Sequence, residues 1–435
     1  MATPGLPLFP AAQSLRSAPP VSGLGAAENM PPFALPASHF AVALGWLGVA
    51  SVALAVVAPG LARGAWLTPE SAAAAHAFTL GWLLTSAYGA LYQLGPVVMG
   101  VEARHRGAAY ATLALHSVGS LMAVAGMWRW EPVVLGLGWA LVLAALALWT
   151  WNVASRLATA PRMPRVARTV LAATVMLWLG ALLAGARIGQ ALGWWMVSRE
   201  ALVAAHVQLA AVGFGTLLVM GVGSRLVPMF LLSREAPEWP IRWSAPLTGV
   251  GVVLTACGGL VGHRVGLLAG GLLTAAGVGL FLYQSWAWFT RRARPVLDAP
   301  LRQVAAALVS LALALVAGLA ALAGGGPRVI AAYGVLLVVG WLGVLIAGVY
   351  ARILPFLTWL HRYSPRVGEK GLPKVADLLP ARFVRVQAGA WVAGVGTLVA
   401  GILAGVPALA LAGACLFAAG STLALAMYAR LVLRP

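Results

Sequence analysis

His76-Ala-Phe-Thr-Leu-Gly81-Trp82-Leu-Leu-Thr-Ser-Ala-Tyr88-Gly89-Ala-Leu-Tyr92-Gln93-Leu-Gly95-Pro96 runs for 21 residues without one Asp, Glu, Lys or Arg. At about 1.5 Å per residue, a helix of this length reaches about 30 Å, the depth of a bilayer's hydrocarbon core. The rest of the chain has the same character. Of 435 residues, 61% are hydrophobic and 9% charged, and the mean hydropathy is +0.91. A soluble domain carries roughly 25% charged residues. A chain this apolar hides its surface in lipid. The 18 Trp fit that setting, because indole rings favour the headgroup level. Trp66, Trp130 and Trp194 fall near expected helix ends.

Working outward from that stretch, apolar helices are expected at about 39–59, 74–99, 107–127, 132–152, 167–187, 200–231, 244–263, 265–287, 301–323, 329–357, 387–405 and 407–431. The fold class is therefore all-α integral membrane, with about twelve transmembrane helices. The thinnest division is at Gly262-His263-Arg264. Residues 1–38, rich in Pro, Ala, Ser and Gly, lack the continuous apolar core of a secretory signal. They are expected to be a flexible cytoplasmic tail, leaving 39–435 as one membrane domain.

The basic residues order the helices. With the N-terminus inside, 23 of the 29 Lys and Arg fall on inner segments and six on outer ones. The inner set includes Arg16, Arg104, Arg162, Arg225, Arg352 and Arg434. The outer six are Arg63, Arg129, Arg187, Arg199, Arg264 and Arg328. That asymmetry is the positive-inside signal. It implies a multi-pass inner (plasma) membrane protein with cytoplasmic N- and C-termini. It also explains the formal charge of +19 as topology, so no nucleic-acid partner is expected. The lipid bilayer is the expected partner. The basic loop at about 358–386, with Lys370 and Lys374, is expected to anchor on anionic lipid. Cys257 and Cys415, far apart in apolar runs, suggest neither a disulfide nor a Cys metal site.

The opening stretch recurs twice. The second helix has Gly81-Trp82, Gly89 and Pro96. The sixth has Gly213-Phe214, Gly221 and Pro228. The tenth has Gly340-Trp341, Gly348 and Pro355. Gly–Gly and Gly–Pro spacings are 8 and 7 in all three, and the copies lie four helices apart. Gln93, Arg225 and Arg352 each follow the second Gly by four residues. Small residues let helices approach closely, and each Pro frees a carbonyl that a neighbour must satisfy. The period predicts three pseudo-repeated four-helix arcs, unlike the paired or inverted halves of most secondary transporters.

Twelve helices in three arcs resemble the catalytic subunit I of the haem-copper oxidase and nitric-oxide reductase superfamily. The run from His76 to Trp82, followed by Gly89 to Pro96, resembles helix II of the reductase and cbb3-type members. In that family the His of this helix is an axial ligand of the low-spin haem b. The resemblance implies haem b on His76, and oxidoreductase chemistry if the chain is an enzyme. The family's further histidines, in its helices VI, VII and X, are not matched here. The seventh helix supplies no His pair, and the tenth supplies no His. Glu70, Glu131 and Glu200 all sit near outer helix ends, so no acidic residue is expected in mid-membrane. Copper and complete oxygen reduction are therefore not expected. A second resemblance is to the NnrS family, linked to nitric-oxide stress, although its His-x-His-Glu run is absent.

His76 and His206 lie near the outer ends of repeat helices. His206 is 22 residues before Pro228, Tyr333 is 22 before Pro355, and His76 is 20 before Pro96. Buried imidazoles in a membrane mark functional sites by default. His76 and His206 are the expected haem or metal ligands. His116, in the third helix, is expected either as a second axial ligand or in a helix–helix hydrogen bond. His39, His105, His263 and His361 are expected at helix starts or in polar loops. Arg225 and Arg352 are expected to snorkel, and Arg199 has the charge to meet a haem propionate. The leading reading is a haem-b protein in electron transfer, or gas or copper handling, with a cytochrome or copper-protein subunit as possible partner. Two alternatives stand beside it: a cofactor-free transporter or channel, and an assembly subunit of a respiratory complex.

Overall fold

The computed structural model describes residues 32–100, 102–158 and 163–433; Arg16, Arg162, Arg434 and most of the N-terminal tail lie outside the described residues. Twelve long helices follow one another: α1 (Ala34–Ala62), α2 (69–99), α3 (Arg106–Arg129), α4 (132–158), α5 (Arg165–Ala191), α6 (Arg199–Leu231), α7 (Trp239–Leu260), α8 (Arg264–Thr290), α9 (Ala299–Leu322), α10 (Pro327–Arg362), α11 (Ala381–Ala404) and α12 (Pro407–Leu433). Among the described residues, eleven of these are long and apolar enough to cross a membrane, and α2 is the twelfth long helix. Valines and leucines such as Val52, Val56, Leu121 and Val316 are exposed on their outward faces, as contact with lipid chains requires.

Each sequence-expected helix is present, mostly longer by a turn. Helix α1 starts at Ala34 rather than 39, because Pro36 sits in the first turn, where its missing N–H costs nothing. The thin division at 262–264 is a true turn. Gly262 is left-handed at φ +70°, and the His263 ring accepts from the Gly266 amide 3.1 Å away, capping α8. The described loop residues 100, 102–105, 163–164, 232–238, 291–298 and 363–380 share one face with residue 34. That face, the basic face, holds most of the described Lys and Arg.

Packing partners recur every four helices. α3 with α4, α7 with α8 and α11 with α12 form tight hairpins, while α2, α6 and α10 pack against α1, α5 and α9. α4 touches α5, α8 touches α9, and α12 returns to α1. Glycines make the hairpins close. A Cβ on Gly138 would stand 2.4 Å from the Ala123 amide nitrogen, one on Gly270 2.3 Å from that of Thr255, and one on Gly413 2.2 Å from that of Leu398. The partner glycines Gly119, Gly251 and Gly394 all lie 19 residues earlier.

Where α2, α6 and α10 meet, each departs from α geometry. Ala77–Leu84, Gln208–Thr216 and Leu336–Gly343 are π-helical. Each segment spans the first Gly and the aromatic residue of the repeat. A further short π segment, Thr150–Ala154, lies in α4. A π turn widens the helix and frees carbonyls, and such turns cluster at functional sites.

Candidate functional site

The π segments set the site. His76 is the last α residue before the segment of α2, and His206 stands two residues before that of α6. Both are roughly 10 Å from the face opposite the basic one, by their depth along the helix. The two imidazoles meet across the α2–α6 contact. Their ring centroids are 5.8 Å apart and their planes 23° from parallel. Both side chains are half-buried.

Their hydrogen bonds fix the tautomers. His76 Nδ1 is 2.8 Å from the Ala72 carbonyl, and His206 Nδ1 is 2.8 Å from the Gly180 carbonyl of α5. A carbonyl oxygen only accepts, so each Nδ1 carries the proton. In the neutral ring each Nε2 is then a bare lone pair. Neither imidazole can donate to the other. An imidazole with Nδ1 tied to a carbonyl and Nε2 free is the usual arrangement of a metal-ligating His.

The same contact is repeated one step round the central helices. Aligned on the first repeat Gly, His76 corresponds to Gln208 and Val335, and His206 corresponds to Ala74 and Tyr333. Gln208 Nε2 donates to the Tyr333 hydroxyl at 3.2 Å. This is the counterpart of the His76–His206 meeting, with an amide and a phenol in place of two imidazoles. Gln208 and Tyr333 also line a cavity of about 80 Å³ with Thr216, Thr255 and Thr274. Neither residue carries a family signal. Their register with the two histidines was the only clue in the sequence.

With metal–imidazole bonds of about 2 Å, two rings sharing one ion have centroids roughly 6 Å apart. The observed 5.8 Å is of that order, with the two rings stacked 23° from parallel. On the side toward the basic face the central helices are in hard contact. A Cβ on Gly215 would meet Leu342 at 2.7 Å, and one on Gly343 would meet Phe78 at 2.7 Å. A macrocycle would therefore have to extend toward the opposite face. There Arg199 donates to the Leu67 carbonyl, and Arg187, within electrostatic reach of Arg199, lies 5.3 Å over the Trp130 ring. Two guanidinium groups on that side suit two carboxylates. Two imidazole nitrogens are a donor set of the kind that haem iron or copper accepts.

His116 stands apart from the pair. Its Nε2 donates to the Leu80 carbonyl at 2.9 Å, inside the α2 π segment. Thr85 Oγ1 donates to the same oxygen at 3.2 Å. His116 therefore serves the carbonyl that the π turn exposes, which is the helix–helix hydrogen bond named above as one of its two expected roles. Among the described residues no group of three or more His, Cys, Asp or Glu is placed to hold an ion.

The other histidines divide differently from expectation. His39 is fully buried five residues into α1, its Nδ1 donating to the Leu35 carbonyl at 2.8 Å. His105 stacks on Trp151 at 5.4 Å, and His361 contacts Phe33 at 5.1 Å. Of the basic residues in the repeat, Arg225 is exposed. Arg352 pairs with Asp298 and lies 5.0 Å over the Phe230 ring. No family model matches the chain, and no curated protein matches it.

Proposed function

We propose that this chain is a divergent relative of subunit I of the haem-copper oxidase and nitric-oxide reductase superfamily, built as three pseudo-repeated four-helix arcs. It holds haem b through His76 and His206 and serves electron transfer, or gas or copper handling, in respiration. It does not carry oxygen reduction to completion. One observation carries the reading: two imidazoles stacked 5.8 Å apart across the α2–α6 contact, each with Nδ1 anchored and Nε2 left as a lone pair. The four-helix period of the packing and of the central π segments supports the three arcs. When bound, haem b supplies a one-electron iron centre. The protein's own part is to fix the two ligand rings and to set Arg187 and Arg199 on the propionate side. The inner membrane, with cytoplasmic termini and a cytochrome or copper protein as electron partner, completes the proposal.

A second reading is a single copper(I) ion held by the same pair. The hard contacts at Gly215 and Gly343 favour it, because a bare ion needs no flanking space. Both readings are tested on full-length protein, expressed with ample haem and copper and purified in mild detergent. A Soret band, lost in His76→Ala and in His206→Ala, is the expected result. No Soret band, with about one copper per chain that the same variants lose, replaces haem with copper. A chain with neither overturns both readings and returns the molecule to the transporter and assembly-subunit alternatives.

A further inference from the structure

Gln208 and Tyr333 stand at the edge of a cavity of about 80 Å³ in the second arc, and the His76–His206 pair makes no use of it. The space lies among α6, α7, α8, α9 and α10. Its lining on α9 runs from Leu311 to Leu322, the last residue of that helix. At about 1.5 Å per residue it therefore lies within roughly 16 Å of the α9 terminus, in the half opposite the basic face. Leu319, which lines it, is 37% exposed, and Leu272 and Val316 are exposed beside it on the outward wall. The cavity thus opens sideways between α8 and α9, toward lipid chains.

One difference between arcs makes this space. Gly271 follows the hairpin glycine Gly270, as Trp139 follows Gly138. In the first arc the Trp139 indole fills the equivalent place. Its Nε1 donates to the Ala181 carbonyl at 2.8 Å, and its ring lies 2.4 Å from where a Gly185 Cβ would stand. A Cβ on Gly213 would meet Met176 at 3.0 Å and one on Gly340 would meet Ser310 at 3.0 Å, which sets α5 and α9 in one register. In that register Leu315 and Leu319 replace Ala181 and Gly185. They refill only part of the volume that the missing indole leaves.

The hydrogen bonds of the wall select the occupant. Thr255 and Thr274 donate to carbonyls of their own helices at 2.8 and 2.9 Å. Thr216 accepts from Trp341 Nε1 at 3.2 Å. Gln208 Nε2 donates to the Tyr333 oxygen at 3.2 Å. That bond leaves the Tyr333 O–H to donate and the Gln208 carbonyl oxygen to accept. A single hydroxyl group meets both, whereas a ketone, ester or ether meets only Tyr333. Size decides the body that carries it. A cavity of about 150 Å³ holds benzene, so a space about half as large takes a linear chain rather than a ring.

We infer that the second arc holds a binding site for an aliphatic alcohol dissolved in the membrane. Its hydroxyl sits between Gln208 and Tyr333, and its chain leaves between α8 and α9 into the lipid. The site is independent of whatever His76 and His206 hold.

The test uses the full chain in lipid nanodiscs and octan-1-ol carrying a diazirine on its chain, photolysed and mapped by peptide mass spectrometry. Segments 271–278 and 311–322 should carry at least fivefold more adduct than their first-arc equivalents, 139–146 and 177–188. Excess octan-1-ol should abolish the difference, and octane at the same membrane concentration should not. Gly271→Trp, which restores the plug of the first arc, should lower labelling to the first-arc level. Tyr333→Phe, which keeps the ring and loses only the hydroxyl, should raise the octan-1-ol concentration for half-competition at least fivefold. This second variant keeps the inference testable where the bulkier one does not fold. Equal labelling of the two arcs overturns the site. Octane competing as well as octan-1-ol, or unchanged competition in Tyr333→Phe, overturns recognition of the hydroxyl. Phenol competing better than octan-1-ol at equal membrane concentration overturns the aliphatic assignment.

Discussion

Trp130 shows how a single residue carries the history of the chain. It adopts φ +54°, the left-handed region, at the end of α3. The turns that end α7 and α11 have Gly262 at +70° and Gly405 at +69° in the same place. All three follow a hairpin glycine by four residues, and the amides of Glu131, His263 and Val406 bond back to Gly126, Gly258 and Gly401. A side chain with a Cβ costs about 1 kcal/mol there. Trp130 recovers part of this from its cation–π contact with Arg187. Thermal unfolding in detergent should therefore rank Trp130→Gly above Trp130→Ala by about 1 kcal/mol. Gly262→Ala should lose about as much. Gly405→Ala should lose about as much, because the Arg328 guanidinium 2.6 Å from where its Cβ would stand ends a flexible side chain that can move aside. Residue-level chemistry was only half legible beforehand. The sequence marks His76 and His206 as buried imidazoles. Their approach to 5.8 Å depends on a two-residue offset that helical spacing alone does not convert into contact. His39 looked like a surface residue because its helix begins earlier than its hydropathy does.

At the scale of the helix, two devices recur: glycine-closed hairpins and π turns. The hairpin glycines admit backbone against backbone, so a larger side chain must push the pair apart. Overpacking of this kind costs typically about 1–3 kcal/mol. Gly138→Val, Gly270→Val and Gly413→Val should each lower the unfolding midpoint. Gly136→Val and Gly279→Val should not, since nothing lies within 4 Å of their Cβ positions. These glycines were visible in the sequence as pairs 19 residues apart in three places. The spacing spans a turn, so it has no helical period and does not register as a pattern. The π turns had no legible signal at all. A π segment inserts residues into a helix without changing its hydropathy, and its presence is decided by the neighbours that take up the freed carbonyls, as His116 and Thr85 do at Leu80. The repeat of Gly, Gly and Pro located the right helices without revealing how they bend.

Across the whole molecule, charge and apolarity decide the layout. Each helix boundary moved by only a few residues between sequence and structure, because hydropathy and positive charge both report on the same bilayer. The proposed orientation is checked by impermeant thiol labelling in intact cells, after replacing the lipid-facing Cys257 and Cys415. Met196→Cys, in the loop before α6 and 98% exposed, should react from outside. Lys370→Cys should react only after the membrane is opened. The reverse pattern would invert the topology.

The contact of α1 with α12 has one more meaning. Residues 34 and 433, the outer ends of α1 and α12 in the chain, belong to two helices that lie side by side. The helical wall thus has no seam: its series of neighbour contacts closes on itself. A join from residue 433 to residue 34, with a new opening between α4 and α5, would preserve every helix direction and every neighbour. What the first arc cannot exchange with the others is its interior, where Tyr88 and Tyr92 stand at positions that the third arc fills with Ala347 and Ala351.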